Sequence, residues 1–337
     1  MPFTFSHPAA VLPLLRAAGE RGPLVASALV AGSMAPDVPF FAESLLPGVY
    51  GHGGLTHRWW AVPTLDVAVA GALVAGWHGL LRGPLVALLP ERWAGAAEAL
   101  TVPRGGVMAV ARRGGPEAAA RAGWFAVSAA VGAATHVGWD AFTHEGRLGV
   151  RLLPVLDREV AGVPLYSALQ YGSSALALAA VGGWAVRAAR AVEPVRPAVA
   201  LSPTGRRAAV VALGLATAAG VAHRISPLRR GLIPEFCFGA GAGLAVGAAG
   251  YAAAVAAVVA ARGRRLGAAA GRAAGAVPGA SPGAPGAPGA PGGASSDGSS
   301  GGSSGVSSGR RVPAAGAGTT FVRRSAVRRS DAGTGPR

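Results

Sequence analysis

Residues 236–261 read FCFGAGAGLAVGAAGYAAAVAAVVAA and contain no charged side chain. A helix crosses a bilayer with about 20 mostly apolar residues, so this stretch is long enough to span one. Only 14% of the 337 residues are charged, whereas soluble domains carry about a quarter. The stretch and the composition together predict an integral membrane protein.

Five apolar windows are long enough, or nearly long enough, to span a membrane. They are residues 61–81, 122–143, 168–186, 205–223 and 232–261. We therefore predict an all-α fold, a multi-pass transmembrane helical bundle of about five spans that occupies residues 61–261. A soluble, Ala-rich helical bundle is the alternative, although helices of globular proteins average only about 11–12 residues.

The first 60 residues contain two apolar segments that are too short to cross a bilayer, residues 8–18 and 23–34. We predict that residues 1–60 form short helices and loops that pack on the bundle and contribute to a site. The N-terminus has no basic region ahead of an apolar run, so it is not typical of a secretory signal peptide.

The composition changes at Arg262, where Gly-Ala-Pro triplets, a Gly/Ser-rich run and arginine pairs follow. This composition predicts a disordered tail over residues 262–337. Its arginine pairs suit anionic lipid headgroups, and a merely solvated tail is the open alternative. No nucleic-acid partner is expected, because the tail offers no aromatic platform for bases.

Arginine is most frequent in the loops between the first and second and between the third and fourth predicted spans. Basic loops tend to remain in the cytoplasm. With an odd number of spans, this bias predicts an outer N-terminus and a cytoplasmic C-terminal tail.

The chemically informative segment is residues 134–145, ATHVGWDAFTHE. His136 and Asp140 are four residues apart, so a helix places them on one face, and His144 extends that stripe by a turn. Such a pair can bind one divalent ion, and ionisable residues in membrane helices are functional candidates by default. The alternative is that the two side chains satisfy one another, or face a wet cavity, without a metal.

Three further candidate ligands precede the first predicted span: His7, Asp37 and His57. In the predicted topology His57 and His144 lie at the outer ends of the first two spans, where they can meet. The single cysteine, Cys237, excludes a zinc site made of several thiolates. A His/Asp site suits zinc first, and could also suit manganese or iron.

One acidic residue in the first window, Asp66, is expected to face elsewhere. It lies nine residues after His57, roughly half a turn out of phase on a helix of 3.6 residues per turn. A contact with an arginine or with another helix would then account for it.

Four motifs carry a resemblance: PFTFSHPA at the N-terminus, GSMAPD, THRWW and HVGWDAFTH. Together they resemble a family of uncharacterised bacterial membrane proteins, a DUF4184-like domain-of-unknown-function family, over roughly residues 1–260. More distantly, the order of these motifs is similar to membrane-bound metal-dependent hydrolases and to the zinc-dependent phospholipase C fold, although the later His-x-x-x-Glu pair of the phospholipase pattern is absent.

The resemblance implies a multi-pass protein of the bacterial cell membrane with metal-dependent hydrolysis of phosphoester or ester bonds. It implies a ligand set, which comprises His7, Asp37, His57, His136, Asp140 and His144. Lipids or lipid-linked molecules are the expected substrates, and the lipid bilayer is the expected partner.

No catalytic residue is assigned from the sequence, since either Asp37 or Asp140 could serve as a base if it is not a ligand. Arg58 could steer a phosphate, or it could simply extend to the membrane interface. The rival function is a non-catalytic membrane scaffold or lipid-binding protein. A transporter is a third reading, for which no inverted repeat is visible.

Overall fold

A computed structural model describes residues 3–15, 23–102, 115–226 and 231–275. The predicted tail from residue 276 onward lies outside the described residues. The disordered tail over residues 262–337 stays a prediction, and the last helix as described extends past Arg262 to Gly275.

Short helical segments occupy the first 60 residues. They are Thr4–Val11, Leu12–Leu15, Ala26–Met34 (α1), Ala35–Asp37, Val38–Ala42, Val49–His52 and Gly53–Thr56. Repeated prolines and glycines keep these segments short, because proline lacks the N–H that a helix interior needs. The prediction of short N-terminal helices agrees with this arrangement.

Longer helices follow. They are Leu65–Gly76 (α2), which continues through a π-helical turn at Trp77–Leu81 into Arg82–Val86, then Glu91–Thr101 (α3), Pro116–Thr143 (α4), Leu165–Ala191 (α5), Pro203–Ile225 (α6) and Leu232–Gly275 (α7). Between α4 and α5 lie Leu148–Leu152, Pro154–Asp157 and a two-stranded antiparallel hairpin of Glu159–Val160 (β1) and Val163–Pro164 (β2).

Proline begins two of the long helices. Pro116 opens α4 and Pro203 opens α6, where the missing N–H costs nothing and the fixed φ suits a first turn. Ser202 caps α6 through its hydroxyl, which accepts the Gly205 N–H at 3.1 Å. Local sequence therefore determines where α4 and α6 begin.

Within the described residues, three helices are long and apolar enough to cross a membrane: Leu65–Val86, Pro203–Ile225 and Leu232–Ala268. Only 11–17% of each apolar window is buried inside the protein, so most of that surface is free to face lipid. The other two predicted windows lie in α4 and α5, which have 28 and 27 residues but a lower hydropathy. The all-α prediction is confirmed.

Helices α2 and α7 run in the same direction, and α6 runs in the opposite direction to α7. Phe238, near the start of α7, packs against Phe40, whereas Tyr251 further along donates to the Pro84 carbonyl at 3.0 Å, near the end of the α2 segment. Helix α6 ends where α7 begins, since Gly220 and Gly239 are in direct contact.

Helices α4 and α5 also run in opposite directions. Trp139, near the end of α4, donates to Ser173 Oγ near the start of α5 at 3.1 Å. The starts of α2, α5 and α7 and the ends of α4 and α6 therefore gather at one end of the bundle, which we call the site end.

Glycine allows α1 and α4 to pack backbone against backbone. A Cβ on Gly32 would lie 2.1 Å from the Ala129 carbonyl oxygen, and one on Gly132 would lie 2.2 Å from that of Leu29. Buried alanines, Ala28 and Ala129 among them, fill the adjoining core. This close contact sets the position of α1 on α4, and with it the distance between the segments that carry the site.

Candidate metal centre

Four predicted ligands converge at the site end. Asp37, His57, His136 and Asp140 are all buried, and each offers one ligand atom that lies within 4.8 Å of the others. Three separate segments supply them: the 3₁₀ turn Ala35–Asp37, the residue after the short helix Gly53–Thr56, and the last two turns of α4.

Backbone carbonyls fix the orientation of both imidazoles. His57 Nδ1 donates to the Gly53 carbonyl and His136 Nδ1 donates to the Ser33 carbonyl, each at 2.7 Å. A carbonyl can only accept, so both Nδ1 atoms carry a proton and both Nε2 atoms turn to the centre. Metal-binding histidines are held in this way, because the outer hydrogen bond sets the tautomer and the ring orientation.

The four distances between an imidazole nitrogen and a carboxylate oxygen are compatible with a metal shell. His57 Nε2 lies 3.1 Å from Asp140 Oδ2 and 3.6 Å from Asp37 Oδ1. His136 Nε2 lies 3.2 Å and 3.5 Å from the same two oxygens. Ligands bound at about 2.0–2.1 Å to a tetrahedral ion are separated from one another by about 3.3–3.4 Å, so the four distances bracket that value.

Two of these atoms have no hydrogen-bond partner among the described residues. They are His136 Nε2 and Asp37 Oδ1, both fully buried. Buried polar atoms without a partner are uncommon and call for an explanation such as an ion. The four residues could therefore hold a metal ion.

The other two predicted ligands lie on the far side of Asp140. His7 Nε2 is 3.3 Å from Asp140 Oδ1, and the His7 ring stacks on His136 with 3.8 Å between ring centroids. His144 Nδ1 is 3.6 Å from the same oxygen. Both imidazoles thus contact the carboxylate oxygen that is turned away from the four-residue group, and their role as ligands stays a prediction.

His144 is oriented by its own partner. The Gln170 side-chain amide donates to His144 Nε2 at 2.8 Å, which leaves the proton on Nδ1, beside Asp140. Burial lowers the pKa of His144 to about 4, so this imidazole is neutral at physiological pH.

Asp37 is held in place by a residue that the sequence did not single out. Thr4 Oγ1 donates to Asp37 Oδ2, which leaves Oδ1 for the centre. Burial alone would raise the pKa of the Asp37 carboxyl, but the His136 imidazole beside it holds the pKa below its ordinary value. The carboxylate is accordingly ionised and able to bind a cation.

A small, partly open cavity borders the centre. Its lining includes His7 and Asp140 together with Phe3, Trp139 and Gln170. The cavity lies between the N-terminal 3₁₀ helix, α4 and α5, and it leaves space for a small group beside Asp140.

A family described as a domain of unknown function, DUF4184, matches residues 1–261. The chain belongs to the DUF4184 family. No curated protein and no solved structure matches the chain. The DUF4184 match covers the six predicted ligands and the five predicted spans, and it stops where the predicted tail begins. The resemblance to this family is confirmed, and no relative shows the more distant hydrolase resemblance.

Asp66 corrects one prediction for this DUF4184 protein. Its side chain is 0% exposed, and its carboxylate interacts electrostatically with His57 and His136. The helical-phase argument was wrong because the chain from His57 to Thr64 forms turns, and α2 begins only at Leu65. The signal that could have found it was simply an acidic residue within an apolar window.

Proposed function

We propose that this DUF4184 protein is a metal-dependent, hydrolase-like integral membrane protein that acts on phosphoester or ester bonds of lipids or lipid-linked molecules. The observation that carries the proposal is the convergence of two backbone-oriented imidazoles and two buried carboxylates, with 3.1–3.6 Å between each imidazole nitrogen and each carboxylate oxygen. A donor set of nitrogen and oxygen without sulfur suits zinc first, with manganese or iron as possible substitutes.

The residues of the centre have different proposed roles. Asp37, His57, His136 and Asp140 would hold the ion, and His7 and His144 flank the second oxygen of Asp140 as further candidate ligands. A bound divalent ion lowers the pKa of a coordinated water toward about 7 and polarises a phosphoryl or acyl oxygen.

Geometry favours Asp140 over Asp37 as the group that holds a proton during hydrolysis. Asp140 lines the cavity, whereas Asp37 Oδ2 already accepts from Thr4. The neutral His144 imidazole beside Asp140 Oδ1 orients that oxygen toward the cavity side.

The surroundings of the site support a lipid substrate. His57 precedes the first candidate span by only a few residues, and Trp59, which lies between them, is 83% exposed. Exposed tryptophan suits the headgroup layer, where one face of the ring is apolar and the other wet. The site would then lie at the depth of lipid ester and phosphoester bonds.

We also propose that α4 and α5 cross the membrane together with the three candidate spans, which gives five spans in a bacterial cell membrane. The alternating directions of the five long helices support this topology. It places the N-terminal site end outside and the C-terminal tail in the cytoplasm, near anionic lipid headgroups.

Hydrolysis can be tested on the purified protein in vesicles of phosphatidylglycerol and phosphatidylcholine with zinc. We expect zinc-dependent release of either phosphorylated headgroups or fatty acids, which distinguishes phosphoester from ester cleavage. Asp140→Asn should lower the rate by about 100-fold or more, because it removes a ligand of the ion together with the carboxylate that lines the cavity. His223→Ala, an exposed histidine outside the centre, is the matched control.

If neither product forms although the protein binds zinc, the hydrolase proposal is contradicted for these lipids, and the lipid-binding or scaffold function is favoured. Variants that merely unfold at lower temperature, with no activity to lose, would support the same rival.

Orientation can be tested by cysteine labelling in intact cells. In a Cys237→Ser background, a cysteine placed at Arg151, in the loop between α4 and α5, is expected to react with a membrane-impermeant maleimide. A cysteine at Arg92, at the opposite end of the bundle, should react only after lysis. The reverse pattern would invert the proposed topology.

A further inference from the structure

Asp66 is a buried acid without a hydrogen-bond partner. Its side chain is 0% exposed, and neither Oδ1 nor Oδ2 accepts a hydrogen bond within the described residues. The backbone N–H of Asp66 donates to the Ala61 carbonyl at 3.0 Å, so it is the side chain that lacks a partner. A carboxylate in this state is costly, since burial removes its hydration and nothing replaces it.

Other buried acids of the described chain have partners. Glu98 accepts from Arg82 at 2.8 Å and Glu235 accepts from Arg224 at 2.7 Å. Asp37 accepts from Thr4, and Asp140 Oδ1 is within hydrogen-bond distance of His7 Nε2 at 3.3 Å. Asp66 differs from all four, and so a plain structural ion pair does not account for it.

The surroundings of Asp66 point to the metal centre. Its carboxylate interacts electrostatically with His57 and His136, two of the four residues of that centre. Helix α2 also packs against the turn Ala35–Asp37 and against α4, the two elements that supply Asp37, His136 and Asp140. The acid therefore lies on a helix that packs against two of the segments that carry the centre.

We propose that Asp66 is a charge-balancing residue of the metal centre. Its carboxylate is not a ligand, and it raises the affinity for a divalent cation by adding a third negative charge beside the two coordinating aspartates. The bound cation in turn compensates a carboxylate that has no donor of its own. This inference rests on the proposed function, because it requires that the centre bind a metal.

The test compares Asp66→Asn with wild type in two measurements. Zinc affinity, measured by competition with a chromophoric chelator, is expected to fall about tenfold, because a nearby charge acts strongly in a buried site. The melting temperature of the chelator-treated protein is expected to stay level or rise, because the variant removes an uncompensated buried charge. Asp66→Ala is the second variant, which leaves no amide that needs partners.

Glu98→Gln is the matched control, a buried acid that has an ion-pair partner. It should lower the melting temperature of the metal-free protein, because it leaves Arg82 unpaired, and it should leave zinc affinity unchanged. The opposite responses of the two variants would separate charge balance from a general loss of a buried acid.

Two results would overturn the proposal about Asp66. One is a zinc affinity equal to that of wild type in both Asp66 variants. The other is a clearly lower melting temperature of the metal-free Asp66 variants with an unchanged zinc affinity, which would assign Asp66 a structural role alone. Failure of the wild-type protein to bind zinc would instead overturn the metal centre itself, and this inference with it.

Discussion

Purified protein is expected to contain about one divalent ion per chain, and His136→Ala and Asp140→Asn are each expected to lose it. Both side chains are fully or almost fully buried, and their distances to the other ligands of the four-residue group are 3.1–3.5 Å. Loss of an outer-sphere partner already costs about 10–100-fold in metal affinity, and loss of a direct ligand should cost at least the upper value. Elemental analysis after dialysis measures the outcome.

Metal removal should also destabilise the wild-type protein. An ion at 100 times its dissociation constant stabilises the folded state by about 2.7 kcal/mol, so a chelator should lower the melting temperature measurably. The melting temperatures of His136→Ala and Asp140→Asn should not change with the chelator, because neither variant has an ion to lose.

His223→Ala provides the control, since His223 lies at the end of α6 and is exposed. It should retain both the ion and the response to chelator. A wild-type protein that is free of metal, with variants that only melt at lower temperature, would contradict the centre and favour a polar cluster that merely rigidifies the bundle.

The second large effect is expected for Gly132→Ala. The new methyl group would meet the Leu29 carbonyl oxygen at 2.2 Å and the Ser33 nitrogen at 2.7 Å, and backbone atoms cannot move aside as a flexible side chain can. Overpacking of this kind costs about 1–3 kcal/mol. Helix α1 must shift away from α4, although alanine itself favours a helix by about 1 kcal/mol.

Gly138→Ala is the matched control on the same helix, because a Cβ there meets nothing within 4 Å. It should be neutral or slightly stabilising in thermal or detergent unfolding. Gly132→Ala should also weaken zinc binding, because a displaced α1 carries the Ser33 carbonyl that orients His136. Equal stability of the two variants would show that α1 and α4 do not pack as described.

Local sequence predicted much of the fold. The uncharged run in 236–261 indicated a spanning helix, and α7 contains it. The pair His136 and Asp140 was assigned to one helix face from its spacing alone, and the two side chains do lie on one face at 3.2 Å. These inferences succeed because helical periodicity and bilayer thickness act over short stretches of chain.

Predictions that depended on extending a helix were less accurate. Asp66 was assigned to the wrong side because the phase count crossed a stretch of turns between His57 and Leu65. The last helix extends beyond the predicted span of residues 232–261 to Gly275, because alanine and arginine beyond Arg262 are good helix formers.

By itself, then, the sequence determined an all-α chain rich in apolar helices, and it named the acids and imidazoles able to bind a metal, since residue chemistry and helical spacing are local properties. Only the tertiary structure decided which of them meet. The contact at Gly32 and Gly132 sets the position of α1 on α4. Thr4 and the carbonyls of Ser33 and Gly53 orient three of the four ligands. Helix α2, which carries Asp66, packs against two of the segments that supply those ligands. Such long-range packing depends on the whole set of buried contacts, which no short stretch of chain contains.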